Sequence, residues 1–228
     1  LDDLQARNIA KLQGMKLTGT LGILLKAKRK GYVKAIAPLL EALKTCKDPA
    51  IIIEIICALG SLEAEEAIEP LITLLEQQKD GEIREHAAEA LGNIGDVKAV
   101  DALIKSLKND PEDWVRGSAA EALGLIGVKE VVPILIDVLE KDHGIGVSAK
   151  VAKALGRISD ERAVEPLINF LKKGQNEENR RAITYALGEI GDKSAAEVFL
   201  ELLEKDEDGT VRFWSCLFIY KLIVNIKP

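Results

Sequence analysis

The sequence is poor in several residue types on which other classes of protein depend. Only 4% of its 228 residues are aromatic, and it contains three cysteines and two histidines. Cys46, Cys57 and Cys216 are too few and too scattered for a disulfide framework, and no CxxC pair indicates a zinc or redox site. No apolar run approaches the roughly 18 residues that a membrane span requires. These absences predict a cytoplasmic protein with no membrane segment, no metal and no cofactor.

The net charge of −6 is unevenly distributed along the chain. Residues 1–48 contain ten basic and four acidic side chains, whereas residues 49–228 contain 21 basic and 33 acidic ones. An acidic surface repels phosphate backbones, so we do not expect nucleic acid to bind along most of the chain. The basic cluster Lys26–Lys30 has two interpretations, which are contact with phosphate and a solvated helix end.

A repeat of 32 residues organises most of the sequence. Its clearest marker is a Leu-Gly pair without any insertion between copies, at Leu59-Gly60, Leu91-Gly92, Leu123-Gly124, Leu155-Gly156 and Leu187-Gly188. Two further markers keep the same phase: an Ala-x-x-Pro-Leu segment and an apolar residue followed by Arg. Three markers in one phase indicate a repeat protein.

Each repeat unit is predicted to form two helices. The first opens after a Gly-Asp or Ser-Asp pair such as Gly95-Asp96, where the carboxylate can cap free N–H groups. The second begins near Asp80-Gly81 and Asp208-Gly209. A hairpin this short cannot bury both of its apolar faces, so neighbouring hairpins must stack. Counting from Lys34, the sequence predicts six hairpins.

The pattern ALGxIGD, with an apolar-Arg pair upstream and AxxPLI downstream, resembles the HEAT-like repeats of phycobilin lyases over residues 34–226. The resemblance implies an all-α, right-handed α–α superhelix. That family includes scaffolds, lyases and an iron enzyme, so the fold does not select the function. The iron enzyme, deoxyhypusine hydroxylase, uses His-Glu doublets on its second helices. This sequence has only the reversed pair Glu85-His86 and an isolated His143, so that iron site is not expected.

The first 33 residues do not follow the repeat, and residues 1–44 resemble the C-terminal half of a PIN-like, toxin-type nuclease domain. The matching segments are Leu1-Asp2-Asp3, Ala6-Arg7 and Thr18-Gly19-Thr20-Leu21-Gly22. The resemblance implies that Asp2 and Asp3 correspond to the later carboxylates of the family's metal site. A two-metal site needs several converging carboxylates, so no nuclease activity is expected. The predicted domains are a non-repeat N-terminal cap, residues 1–33, and a HEAT-like solenoid, residues 34–228.

The second helices are expected to line a concave face, which is the surface that solenoids use for binding. Trp114 and Tyr185 are large, partly apolar side chains at otherwise polar repeat positions, and such residues are frequent anchors of protein interfaces. The alternative is that they pack against the next repeat. The predicted partner-binding residues are Glu82, Glu85, Glu89, Trp114, Glu121, Lys153, Arg181 and Tyr185. The function predicted from this face is a non-enzymatic scaffold or adaptor for a protein partner. The alternative is a nucleic-acid-linked regulatory protein, derived from a PIN-like nuclease fused to a targeting solenoid.

One further feature recurs in the repeat phase. The four arginines Arg84, Arg116, Arg180 and Arg212 share one repeat position. We expect each to pair with an acid or a helix C-terminus and so tie one hairpin to the next; anion or acidic-peptide binding is the alternative.

The closing helix carries more apolar residues than one buried stripe needs. Its remaining residues are predicted to join two copies in a homodimer, unless Trp214 and its neighbours fold over the last hairpin. This predicted self-association set is Phe213, Trp214, Leu217 and Tyr220.

Overall fold

The computed structural model describes residues 36–142, 144 and 146–224, and in these residues the regular structure is entirely helical. The predicted cap 1–33, the cluster Lys26–Lys30, and His143 therefore lie outside the described residues. The chain divides into two compact units between Ala102 and Leu103.

The described part of the chain forms twelve α-helices, in the order that the repeat predicts. The first unit contains α1 (Ile36–Thr45), α2 (Pro49–Ser61), α3 (Ile68–Gln77) and α4 (Gly81–Ile94), and α5 (Val100–Asn109) crosses the division. The second unit contains α6 (Asp113–Ile126), α7 (Val132–Lys141), α8 (Val147–Ile158), α9 (Val164–Lys172), α10 (Glu177–Ile190), α11 (Ala196–Lys205) and α12 (Gly209–Val224). The even-numbered helices are the second helices of their hairpins.

Helices α4 and α12 begin where the sequence predicts, each directly after an aspartate. Asp80 Oδ1 accepts a hydrogen bond of 2.9 Å from the backbone N–H of Glu82. Asp208 Oδ1 accepts one of 2.8 Å from the backbone N–H of Thr210, and α12 starts at Gly209 between them. These side chains satisfy N–H groups that a helix cannot satisfy itself.

A left-handed residue ends each second helix from α4 to α10. Gly95 takes a φ of 76°, which costs glycine nothing. Asp96 follows it, and Asp96 Oδ1 accepts a 2.8 Å hydrogen bond from the backbone N–H of Lys98 in the next turn. Ser159 stands at the equivalent position after α8 with a φ of 54°, a conformation that side chains disfavour. The Gly-Asp pairs therefore mark the turns between hairpins.

The leucine of each Leu-Gly pair is buried completely. The five positions, each 0% exposed, are Leu59, Leu91, Leu123, Leu155 and Leu187. The most regular marker of the repeat therefore belongs to its apolar interior.

The glycine of the same pair permits second helices to approach closely. A Cβ atom added to Gly156 of α8 would lie 2.7 Å from the Cα of Ala186 in α10. Gly60 has the same relation to Ala90, at 2.8 Å, within the first unit. Any side chain at these positions would push neighbouring helices apart.

Candidate binding surface on the second helices

In the first unit, the predicted surface is acidic. Glu82 and Glu89 on α4 are exposed, and Glu85 is half-buried. Cys57 on α2 stands one repeat before Glu89. The pKa of its thiol is raised, first by partial burial and then by the negative charges of Glu89 and Glu54. A raised pKa keeps the sulfur protonated, so Cys57 is not an activated nucleophile.

In the second unit, three successive second helices form a cleft with a volume of about 430 Å³. It brings together Lys153 on α8 with Arg181 and Tyr185 on α10, all of which the repeat phase assigned to one face. The other residues that line it are Arg157, Glu178, Ala182, Glu189, Thr210 and Trp214. Arg157 and Glu189 were missed by the sequence prediction, although each lies one helical turn beyond a predicted residue.

The basic groups of this cleft differ in what they already contact. Arg157 Nη1 donates a 3.1 Å hydrogen bond to Glu121 Oε1 on α6. Arg181 contacts both Glu177 and Asp208, and its hydrogen bond is the main reason why the pKa of Asp208 lies below its ordinary value. Lys153 is exposed and has no ion-pair partner among the described residues. Lys153 is therefore the cation that an incoming ligand can neutralise without breaking an existing pair.

Aromatic rings form one wall of the cleft. The Tyr185 and Trp214 ring centroids are 5.4 Å apart in an edge-to-face arrangement, and Trp214 stacks on the buried Phe218 at 5.7 Å. Tyr185 therefore packs against the next repeat, yet it remains 38% exposed. The alternative for Tyr185, packing against the next repeat, is what the structure shows. Its assignment to a partner-binding surface stays a prediction.

Trp114 and Glu121 lie on α6 and do not line the cleft. Trp114 is 45% exposed, whereas Glu121 is half-buried beside Arg157. Their assignment to the binding surface stays a prediction.

For two of the four arginines at the shared repeat position, Arg116 and Arg180, the structure shows the predicted pairing with an acid of the next hairpin. Arg116 Nε and Nη2 donate to the carboxylate of Asp142, at 2.6 and 2.9 Å. Arg180 makes the same pair of hydrogen bonds with Asp206, at 2.8 and 3.1 Å. In both pairs the aspartate follows the first helix of the next hairpin, so each arginine ties successive hairpins together.

The first and last arginines of this ladder are held by backbone carbonyls. Arg84 Nη1 donates to the carbonyl oxygens of Gln78 and Lys79, both at 3.0 Å. Arg212 Nη1 donates to those of Asp206 and Glu207, at 2.7 and 3.0 Å. The guanidinium groups are thus occupied within the fold.

The structure splits the predicted self-association set into two groups. Trp214 and Leu217 are half-buried, and Trp214 packs on Tyr185 and Phe218, as the alternative of folding over the last hairpin predicts. Phe213 and Tyr220 instead remain 62% and 56% exposed on another side of α12.

Neither the helix lengths nor the side-chain clusters of the described residues point to a membrane or a metal. No helix in the described ranges is long and apolar enough to cross a membrane. Within those same ranges, no three His, Cys, Asp or Glu residues are grouped so that they could hold a metal ion. His86 is half-buried, and its Nδ1 lies 2.8 Å from the backbone oxygen of Glu82.

Comparison with known families assigns the repeat. Three overlapping segments, residues 36–124, 101–177 and 164–222, match a family model described as HEAT repeats. The chain belongs to the HEAT-repeat family. This membership confirms the all-helical repeat fold predicted from the Leu-Gly spacing. Residues 1–47 of this HEAT-repeat protein also match a family model described as a PIN domain, which confirms the resemblance of the N-terminal segment.

Two solved structures are similar to the chain. One is the complex of CpcE and CpcF of phycocyanin lyase from Nostoc sp. PCC7120, with a TM-score of 0.63 and 23% identity over 82% of this chain and 76% of that one. At this identity the likeness concerns the fold alone. The other is human deoxyhypusine hydroxylase in complex with glycerol, with a TM-score of 0.46 and 18% identity over 98% of each chain. No curated protein matches the sequence significantly.

Proposed function

We propose that this HEAT-repeat chain is a non-enzymatic scaffold that binds a protein partner on the exposed face of its second helices. The cleft between α8, α10 and α12 carries the proposal. It combines a free cation, Lys153, with the rings of Tyr185 and Trp214. Aromatic anchors beside polar groups are the usual centre of a protein interface.

The charge pattern of the cleft suits an extended segment with both polar and apolar side chains. Glu178 lies near one end of α10 and Glu189 near the other, with Tyr185 between them. A segment seated along α10 would meet charge at both ends and aromatic rings in the middle. The acidic residues Glu82 and Glu89 offer the first unit a separate surface for a basic segment.

Similarity to the Nostoc protein also supports a protein partner. Its structure is a complex of CpcE with CpcF. We therefore propose that a HEAT-repeat surface in this chain also receives a protein. A second copy of the chain is one such partner, at α12 rather than in the cleft.

We propose the predicted division into a cap, residues 1–33, and a solenoid, residues 34–228. The HEAT match begins at residue 36, close to the proposed boundary. The PIN match ends at residue 47, so α1 (Ile36–Thr45) belongs to both matches. We propose that α1 serves as the first helix of the solenoid.

The test is comparative capture from a lysate of the source organism. The full chain is compared with the double variant Lys153→Glu plus Tyr185→Ala, and with Lys193→Glu, which changes an exposed lysine in a turn outside the cleft. We expect a partner that the wild type and Lys193→Glu retain and the double variant loses. Cross-links from that partner should map to α8, α10 and α12. Equal retention by all three proteins would contradict the proposal.

The PIN match supports a second candidate, a regulatory protein linked to nucleic acid. The cluster Lys26–Lys30 lies in this segment and supplies five consecutive residues with four cations. Incubation of the chain with single-stranded RNA and Mn²⁺ tests it. Metal-dependent cleavage that Asp3→Asn abolishes would establish this candidate over the scaffold, and we expect none.

A further inference from the structure

The last helix of the described chain, α12, has an outer side that no helix in the second unit covers. Its inner residues Val211, Ser215 and Phe218 are buried against α10 and α11. On the outer side, Phe213, Tyr220 and Ile223 are 62%, 56% and 75% exposed. Cys216 is exposed there as well.

The equivalent positions in the preceding repeats show which surface of a second helix this outer side corresponds to. The positions equivalent to Cys216 are Ala152 in α8 and Thr184 in α10, and both are 0% exposed. The positions equivalent to Tyr220 are Gly156 and Gly188, which contact the following second helix. Around Cys216 and Tyr220, the outer side of α12 therefore corresponds to the side on which α8 and α10 receive the following second helix.

Tyr220 excludes a further repeat, packed in the usual geometry, from this side of α12. At Gly156 a single added Cβ would already lie 2.7 Å from the neighbouring backbone. A tyrosine in that place prevents a further repeat from packing in the same geometry. Whatever covers α12 must approach it differently.

The four outer residues have the spacing of a two-helix seam. Phe213, Cys216, Tyr220 and Ile223 follow one another at intervals of three, four and three, which is the a and d pattern of a heptad. If two such helices run antiparallel about a two-fold axis, Tyr220 of each copy meets Cys216 of the other. Phe213 then meets Ile223. The register pairs the largest side chain with the smallest, so the stripe is complementary to itself.

The acidic repulsion that two copies would meet elsewhere is absent at α12, although each α12 carries two basic side chains. Residues 49–228 carry 33 acidic and 21 basic side chains, so two copies repel each other over most of their surface. Helix α12 contains Arg212 and Lys221 and no acid. Lys221 Nζ lies over the Phe218 ring, and Arg212 is held by backbone carbonyls. The antiparallel arrangement also places opposite helix dipoles side by side.

We propose that two copies of the chain associate through an antiparallel pairing of their α12 helices, with Phe213, Cys216, Tyr220 and Ile223 forming the seam. The seam is ten residues or about 15 Å long. This short contact predicts a dimer with a dissociation constant on the order of 10 µM. The pairing does not involve the cleft, so it can be tested independently of the binding of a partner in the cleft.

The test is sedimentation or light scattering of the full chain at about 100 µM, a concentration at which such a dimer is mostly formed. The wild type is expected at twice its mass of 24.8 kDa. Phe213→Lys and Ile223→Glu each place a charge against an apolar side chain and should yield folded monomers. Both residues are exposed, so helical content by circular dichroism should not change. Leu200→Lys, at an exposed position on α11, and Lys153→Glu in the cleft should both remain dimeric.

The double variant Phe213→Lys plus Ile223→Glu tests the direction of the pairing. In the antiparallel register each lysine faces a glutamate of the other copy, so the dimer should return. A double variant that stays monomeric overturns the antiparallel pairing, and a wild type that is monomeric at about 100 µM overturns the association itself. Should either single variant lose its helical signal, Tyr220→Glu in the same stripe takes its place with the same expectation.

Discussion

Helices α10 and α12 occupy the same place in successive repeats, yet they meet different surroundings. In α10, Thr184 and Gly188 are buried because α12 packs against them. In α12, Cys216 and Tyr220 stand at the equivalent positions and are exposed. The difference shows that a repeat position determines which side of a helix faces a neighbour, and that burial depends on whether the neighbour is present.

The largest loss of stability is expected at the apolar core position that Leu187 and Ile219 share. Leu187 in α10 is 0% exposed, and the equivalent Ile219 in α12 is half-buried. Leu187→Ala should lower the free energy of unfolding by roughly 3–5 kcal/mol, because it leaves a cavity. Ile219→Ala should cost about 1–2 kcal/mol, since part of its side chain already meets water. Urea denaturation measures both, and equal costs would contradict the assignment of Ile219 to a less covered position.

The next largest effect concerns the arginine position. Arg180 pairs with Asp206, whose side chain is only 3% exposed. Arg180→Met leaves that carboxylate buried without its cation and should cost about 2 kcal/mol, less than a fully buried pair because Arg180 is partly exposed. Among the described residues, Arg212 in α12 donates to two backbone carbonyls, so Arg212→Met should cost under about 1 kcal/mol. The same urea titrations measure both costs. A larger loss of stability for Arg212→Met than for Arg180→Met would contradict the prediction.

A third difference is expected at the glycine position. A Cβ on Gly188 would overlap the Phe218 ring, which is itself packed among other aromatic side chains. Gly188→Ala should therefore cost about 1–3 kcal/mol through overpacking. Tyr220→Ala, at the open position, should change the stability of the monomer by less than about 0.5 kcal/mol. Thermal unfolding in dilute solution measures both, and an unaffected Gly188→Ala would mean that α10 and α12 are not in close contact.

The smallest expected effect is the pH dependence of the link between these helices. Arg181 of α10 hydrogen-bonds Asp208 at the start of α12 and lowers the pKa of Asp208. A carboxyl group whose pKa is lowered by folding stabilises the protein above its unfolded pKa, near 4, and loses this contribution as the pH falls through its folded pKa. Asp208→Asn should thus be less stable than the wild type at pH 7. The gap should narrow on acidification below about pH 4, and a constant gap would indicate that the carboxylate charge is not involved.

The sequence could have predicted more of the arginine contacts than it did. Arg116 and Asp142 are 26 residues apart, and so are Arg180 and Asp206. Where the repeat replaces arginine by Ser148, the residue 26 positions later is glycine rather than aspartate. This joint loss is the signal of a contact between the two positions. The recurrence of arginine alone does not identify its partner in the next repeat, so the paired carboxylates were not part of the prediction.

The cleft was predictable only in part. The 32-residue phase placed Lys153, Arg181 and Tyr185 on one face, since equivalent positions of stacked helices point the same way. It did not include Arg157, which lies one turn further along α8. Nor could it assign Trp214 to the cleft, because the edge-to-face contact with Tyr185 depends on the spacing of α10 and α12.

The sequence by itself determined the helical repeat, its buried leucines and its capped turns. These features follow from residue spacing and from the local chemistry of aspartate and glycine, which act over a few residues. Only the tertiary structure decided which arginine pairs with which carboxylate, which charges of the cleft are already neutralised, and which side of α12 remains uncovered. Those outcomes depend on distances between helices that are far apart in the chain, and interactions between charges and between rings change steeply over a few ångströms.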